Sequence, residues 1–235
     1  NTVAVEALAR EGPSCAGCGS TVRFRAMAHL VLRELGLTDV PLAALPARRD
    51  VVGLGLSDAA AYAVPLAQRF DYTNIWYHTE PRLDIAAIPD ARAGTLDFLV
   101  ASDVFEHVVP PIGRAFRNAH ALLKPGGVMI FTVPFSLDAD TVEHFPELHD
   151  WRIVVEDGRH VLLNRTADGR AQRFADLVFH GGPGSTLEMR LFARDALLRE
   201  LAAAGFRDVR LAAEPCVEHG IVWPEPWSVP VVARA

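Results

Sequence analysis

Three groups of residues in this sequence have types and spacings that could do chemistry. The first is Gly53-Leu54-Gly55, which follows an apolar run from Asp50 and precedes Ser57 and Asp58. Glycines there would let a ligand approach the backbone, and a helix opened by Ser57 would offer unpaired N–H groups. Two glycines after a strand also make an ordinary tight turn. The full dinucleotide fingerprint, with its third glycine, is absent. The second group is His144, His149 and His180, a third of the nine histidines gathered in one stretch. Imidazole titrates near neutral pH and suits proton transfer. The third is Cys15-Ala-Gly-Cys18, half of a zinc knuckle. Cys216 and His219 could complete it only if the fold brings them near. The simpler reading is a tight turn before a helix, with no metal.

The elements that would position these groups can be read from periodicity. Thr21–Leu35 has apolar residues at helical spacing, and Gly36 can end that helix. Asp50–Leu56 reads as a buried strand, with Ser57 or Asp58 as N-cap of a helix over Ala59–Phe70 that Pro65 should kink or break. Tyr72–Tyr77, Leu96–Ala101 and Val128–Val133 read as strands. Pro110–Leu123 reads as an amphipathic helix stopped by Lys124-Pro-Gly-Gly127. Trp151–Asn164 reads as a β-hairpin turning at Asp157-Gly158, with a further turn at Asp168-Gly169. Ala193–Ala204 then reads as a helix, and Phe206–Leu211 and Val229–Val232 as strands. Strands and helices alternate on both sides of the hairpin region, which implies one α/β sheet. Residues 1–48 form an N-terminal turn and helix, and 49–235 the main domain. An insertion at 136–190 is too long for an ordinary connection and has the character of a lid.

Composition narrows the partners. The net charge is −6, Lys124 is the sole lysine, and the arginines are scattered, which disfavours a nucleic-acid face. No run approaches the roughly 18 apolar residues of a membrane span, and Asn1–Gly12 lacks a signal-peptide layout, so the cytosol is the default expectation. Three cysteines are too few for a disulfide scaffold.

Two runs in fixed order, Leu96–Val108 (LDFLVASDVFEHV) and Ala121–Pro134 (ALLKPGGVMIFTVP), resemble the class I S-adenosylmethionine-dependent methyltransferase family. Tyr72–Ile85, Phe179–Gly184, Leu187–Arg190 and the Cys15–Ser20 stretch are similar to a little-characterised bacterial subgroup of it. The resemblance implies a doubly wound, Rossmann-like α/β sheet with the hairpin-containing insertion after the family's fifth strand and the N-terminal helical segment ahead of it. It implies S-adenosylmethionine as cofactor. Gly53 and Gly55 would lie by its methionine part, Ser57 among the cofactor-binding residues, Glu80 on the ribose hydroxyls, Asp84 and Ile85 by the adenine, and Ser102 and Asp103 at the rim. The interval from Gly55 to Asp84 is too short for a helix, a strand and a second helix, so one helix of the standard plan is expected to be missing.

The implied reaction is O- or N-methylation of a small molecule, a glycan or natural-product precursor. The alternatives are an inactive methyltransferase-like binding protein and an RNA methyltransferase. His180, beside a glycine loop, is the first candidate for base or substrate contact, with His107 and His149 behind it. Each has a plain structural alternative, a histidine that holds the lid or the family loop by hydrogen bonds. Trp151 and Trp223 could line a pocket or pack a core. A hairpin edge could also serve a homodimer.

Overall fold

The computed structural model describes residues 4, 8–38, 40–88 and 93–235. Its centre is a six-stranded sheet. The strands are β1 (Arg48–Leu56), β2 (Phe70–Ile75), β3 (Leu96–Ser102), β4 (Leu123–Thr132), and two from the chain's end, β13 (Arg207–Leu211) and β14 (Val231–Arg234). Their order is β13-β14-β4-β3-β1-β2. β1, β2, β3 and β4 are parallel, and β14 runs antiparallel to both its neighbours. The chain winds outward in opposite directions from β1 and β3, so the carboxyl ends of that pair form the switch-point crevice where such sheets bind ligands.

Alternation along the strands feeds two cores. Leu54, Leu56, Leu99, Ala101, Met129 and Phe131 face one side and meet α3 (Ile112–Leu122) and α4 (Arg194–Ala203). Val51, Phe98, Val100, Val128 and Ile130 face the other, against α1 (Val22–Glu34) and α2 (Ala60–Arg69). Side chains of neighbouring strand residues point to opposite faces, so one apolar run buries both. α1, capped by the Thr21 hydroxyl, therefore belongs to the main core.

Three local expectations change. α2 continues through Pro65. Its N-cap is Ala59, without a side-chain bond, because Ser57 turns left-handed (φ 55°) and the Asp58 carboxylate points inward. Lys124–Gly127 starts β4 directly after α3, with no separate loop. The missing helix is as expected: between Ile75 and Leu96 the described residues hold no helix or strand.

Residues 135–193 build a second layer. β5 (Phe135–Ser136), β12 (Arg190–Ala193) and β6 (Val142–Glu143) form one small sheet, with β12 central. β7 (Asp150–Glu156), β8 (Arg159–Arg165) and β9 (Ala171–Phe174) form an antiparallel meander. Its first turn has Asp157 and Gly158 both at positive φ, as a tight hairpin turn requires. β10 (Phe179–His180) and β11 (Thr186–Leu187) close a short hairpin. Phe145, Leu162, Leu187 and Met189 are a small core for this layer.

Candidate functional site

A cavity of about 950 Å³ opens at the carboxyl ends of β1, β2 and β3. Its floor is residues 56–60, 75–79, 83–85 and 102–104. Arg23 and Phe24 of α1 form one wall. Trp151, Ile153, His180, Thr186, Leu187 and Met189 of the second layer, with His107, form another.

Strand register decides which predicted residues reach this space. β1 runs on to Leu56, so Gly53 and Gly55 lie inside the strand, and neither lines the cavity. They are small because of what covers them. A Cβ on Gly53 would sit 2.1 Å from the Phe98 ring, and one on Gly55 would sit 1.9 Å from the Tyr72 hydroxyl. Ser57, one residue past the strand, does line the cavity. Asp84 and the buried Ile85 line it too, and Asp84 Oδ1 accepts from the Ala86 N–H at 2.9 Å. Glu80 does not. It is exposed, and its carboxylate accepts from the Arg82 N–H at 3.0 Å inside its own loop.

Ser102 and Asp103 stand at the end of β3. Arg10 donates to both Asp103 oxygens, at 2.8 and 3.1 Å, and the Thr132 hydroxyl donates to Oδ1 at 2.8 Å. Burial pushes this carboxyl up, but the Arg23 and Arg10 guanidiniums outweigh it and hold it below the usual range. Arg23 also donates to the Ser102 hydroxyl. Sequence reading missed both arginines, which reach Asp103 and Ser102 from a segment some 80 to 90 residues upstream. It also gave Asp58 only a capping role. Asp58 is a buried part of the floor, with Tyr62 and Tyr72 hydroxyls donating at 2.6 and 2.5 Å. Burial still pushes its carboxyl up to about 7.

The histidines separate clearly. His107 and His180 face each other edge to face, 4.7 Å between ring centres, on the cavity wall. His149 is exposed outside the cavity, so it is no candidate for contact with a ligand there. Its backbone N–H donates to Asn164. His144 is also off the wall but holds Glu188 from behind, its Nε2 2.9 Å from Oε1. The other Glu188 oxygen accepts from His180 Nε2 at 2.8 Å. His107 Nδ1 lies 2.8 Å from the Leu187 carbonyl. A carbonyl only accepts, so Nδ1 carries the proton and Nε2 keeps its lone pair. Burial pushes the His107 imidazole down, which favours this neutral form.

Beneath the two rings sits Glu106, fully buried, with neither carboxylate oxygen hydrogen-bonded. Burial first, then the Asp103 charge, pushes it well above the usual carboxylate range. Its turn is braced by Arg190, also fully buried, which donates to the Phe105 and Val108 carbonyls at 2.8 and 2.7 Å and to Glu143 at 2.6 Å. The Met189 N–H donates to the Glu106 carbonyl at 2.8 Å. No sequence signal set Glu106 apart from other loop carboxylates. Leu187–Arg190 stood out only as a motif.

Trp151 lines the cavity, whereas Trp223 packs against the main core. Cys216 and His219 do find a third donor, but it is His29 of α1, and Cys15 and Cys18 are not part of that cluster.

A family model described as "Methyltransferase domain" matches residues 17–211. The sugar N-methyltransferase KedS8 from Streptoalloteichus sp ATCC 53650 is similar in structure, with TM-score 0.51 and 15% identity, over 100% of this chain and 99% of that one. An S-adenosylmethionine-dependent methyltransferase from Clostridium acetobutylicum ATCC 824 is similar with TM-score 0.49 and 12% identity, over 90% of each chain. At 15% identity the likeness to KedS8 is one of fold. No curated protein matches the chain.

Proposed function

The chain belongs to the methyltransferase-domain family of S-adenosylmethionine-dependent enzymes, and on that premise we propose that it methylates an oxygen or nitrogen of a small molecule seated against the His107–His180 wall. The observation that carries this is the shared cavity: the strand ends of the sheet, His107, and His180 of the second layer open onto one space. Its volume stands at the upper end of the roughly 300–1,000 Å³ of small-molecule sites, enough for two reactants side by side.

The floor suits the cofactor. The left-handed turn at Ser57 carries the backbone from the end of β1 onto the cavity floor, Ile85 offers an apolar surface, and Asp84 stands beside it as a hydrogen-bond acceptor. We assign Ser57, Asp84, Ile85, Ser102 and Asp103 to this half. Bound S-adenosylmethionine supplies an electrophilic methyl group on a sulfonium sulfur. The protein's share is to position the acceptor and to handle its proton. Glu188 fixes the His180 ring through Nε2, which leaves Nδ1 turned to the interior. The second layer acts as the wall that orients the acceptor and keeps water out. Glycan or natural-product precursors bearing hydroxyl or amino groups match this chemistry, and the net charge of −6 argues against RNA.

The test is a methylation screen over such acceptors with labelled S-adenosylmethionine, run beside calorimetry with its demethylated product. His180→Ala should lower turnover by roughly two to four decades while cofactor affinity holds. Unchanged turnover on the true acceptor would remove His180 from the reaction. Failure of the folded protein to bind the demethylated product would overturn the whole reading.

A further inference from the structure

We infer that Glu106, His107 and His180 form a binding site for a divalent transition-metal ion, zinc foremost, at the acceptor end of the cavity. One donor atom from each residue lies within 4.8 Å of the other two. His107 Nε2 is 3.7 Å and His180 Nδ1 3.8 Å from the same Glu106 oxygen. Ligands about 2.0–2.2 Å from a tetrahedral ion stand roughly 3.3–3.6 Å apart, so the two edges that meet at Glu106 are only a few tenths of an ångström too long.

Three features point to a cation rather than to chance proximity. Glu106 is fully buried and neither of its oxygens has a hydrogen-bond donor. A buried carboxyl in that state is costly as an anion and is relieved by taking up a proton or a cation. A proton shared with either ring does not meet the need, because 3.7 and 3.8 Å are too long for a hydrogen bond. Both rings already have their outer nitrogens engaged, His107 Nδ1 with the Leu187 carbonyl and His180 Nε2 with Glu188. Those contacts place the protons on the far side and aim both lone pairs at Glu106. Metal-binding histidines are held in this way by carboxylates and carbonyls behind them. His144 on the second Glu188 oxygen extends the support by one more residue.

The donor set selects the ion. Two imidazoles and one carboxylate suit Zn²⁺, or Fe²⁺ and Co²⁺ after it, whereas Mg²⁺ and Ca²⁺ prefer all-oxygen surroundings. Three protein ligands leave a fourth position open. His107 and His180 line the cavity, so that position faces the acceptor. An acceptor oxygen coordinated there would be oriented and made more acidic. This catalytic meaning rests on the methyltransferase reading, but metal binding does not.

The test uses the full chain stripped by a chelator, titrated with Zn²⁺ by calorimetry and with Co²⁺ by absorption. His29, Cys216 and His219 are a second cluster of donors, so Cys216→Ala is included, and a thiolate-to-cobalt band would report that cluster. The expected result is one ion bound in Cys216→Ala, weakened at least tenfold in Glu106→Gln and in His180→Ala, with circular dichroism unchanged. The Gln variant keeps the shape of the buried residue and guards against unfolding. Three results would overturn the site: no stoichiometric binding, loss of all binding in Cys216→Ala, or unchanged affinity in both Glu106→Gln and His180→Ala. Calorimetry with S-adenosylhomocysteine on the same samples keeps the two readings separate. No cofactor binding would sink the methyltransferase reading and leave the metal result standing.

Discussion

At the scale of single residues, the carboxylates divide by where they stand. Glu80 and Asp84 each accept from an N–H two residues on, but only Asp84 lines the cavity floor. Glu80→Gln should therefore leave S-adenosylhomocysteine affinity unchanged. Asp84→Asn should weaken it by about one to two decades, the usual cost of a lost charge-assisted hydrogen bond of roughly 1.5–3 kcal/mol. Calorimetry on the two variants decides between them, and the reverse pattern would return the ribose contact to Glu80. Asp58 makes a separate prediction. Its folded pKa, about 7, lies above the ordinary value of 3.8. A carboxyl raised on folding favours the native state fully below its unfolded pKa, and loses that contribution as pH rises through the folded one. Stability should thus decline between about pH 4 and pH 7 from this group, by an amount on the order of a few kcal/mol. Asp58→Asn should flatten the decline, since a neutral amide can still bond both tyrosines. Denaturant melts of both proteins across that range would show it.

At the scale of elements, the strands are held as much by absent atoms as by present ones. Phe98 lies flat over Gly53, stacked on Tyr72 at 5.9 Å and edge-on to Phe70 at 5.5 Å. None of these rings has room to retreat, because all three are buried. Gly53→Ala should cost about 1–3 kcal/mol, as overpacking does. Adding Phe98→Leu should cost less in that background than in the wild type, a coupling that a double-mutant cycle measures. Strictly additive costs would mean that the ring does not enforce the glycine. The second layer is tied down differently. Arg190, at the start of β12, reaches two carbonyls of the Phe105–Val108 turn and so ties the second layer to the turn that carries His107. A lysine has one ammonium and cannot reproduce that fork.

At the scale of the whole molecule, the cavity belongs to no single element. It takes walls from α1, the sheet and the second layer. A ligand spanning them should stabilise the fold as one unit. S-adenosylhomocysteine at a hundred times its dissociation constant should add about 2.7 kcal/mol. For a chain of this size that corresponds to a rise of roughly 5–10 °C in Tm. A flat melting profile at saturating ligand would show that binding and folding are uncoupled.

The sequence by itself determined the scaffold, because the scaffold's signals are local. The apolar runs at 50–56, 96–101 and 128–133 each became a strand of the sheet, and Asp157-Gly158 turned its hairpin. The shortness of the stretch after Gly55 foretold the missing helix. Other assignments needed long-range register. A glycine inside a strand and a glycine just past its end look alike in sequence, and only the packing of Phe98 and Tyr72 explains Gly53 and Gly55. The Cys15-Cys18 pair looked like half a site, yet the fold brought Cys216 and His219 to His29. Glu106 became distinctive only when a segment some 80 residues downstream folded over it, burying its carboxylate and placing His180 beside His107. The strength of a charge or a lone pair depends on what surrounds it, and those surroundings come from tertiary contacts that no local pattern of residues encodes.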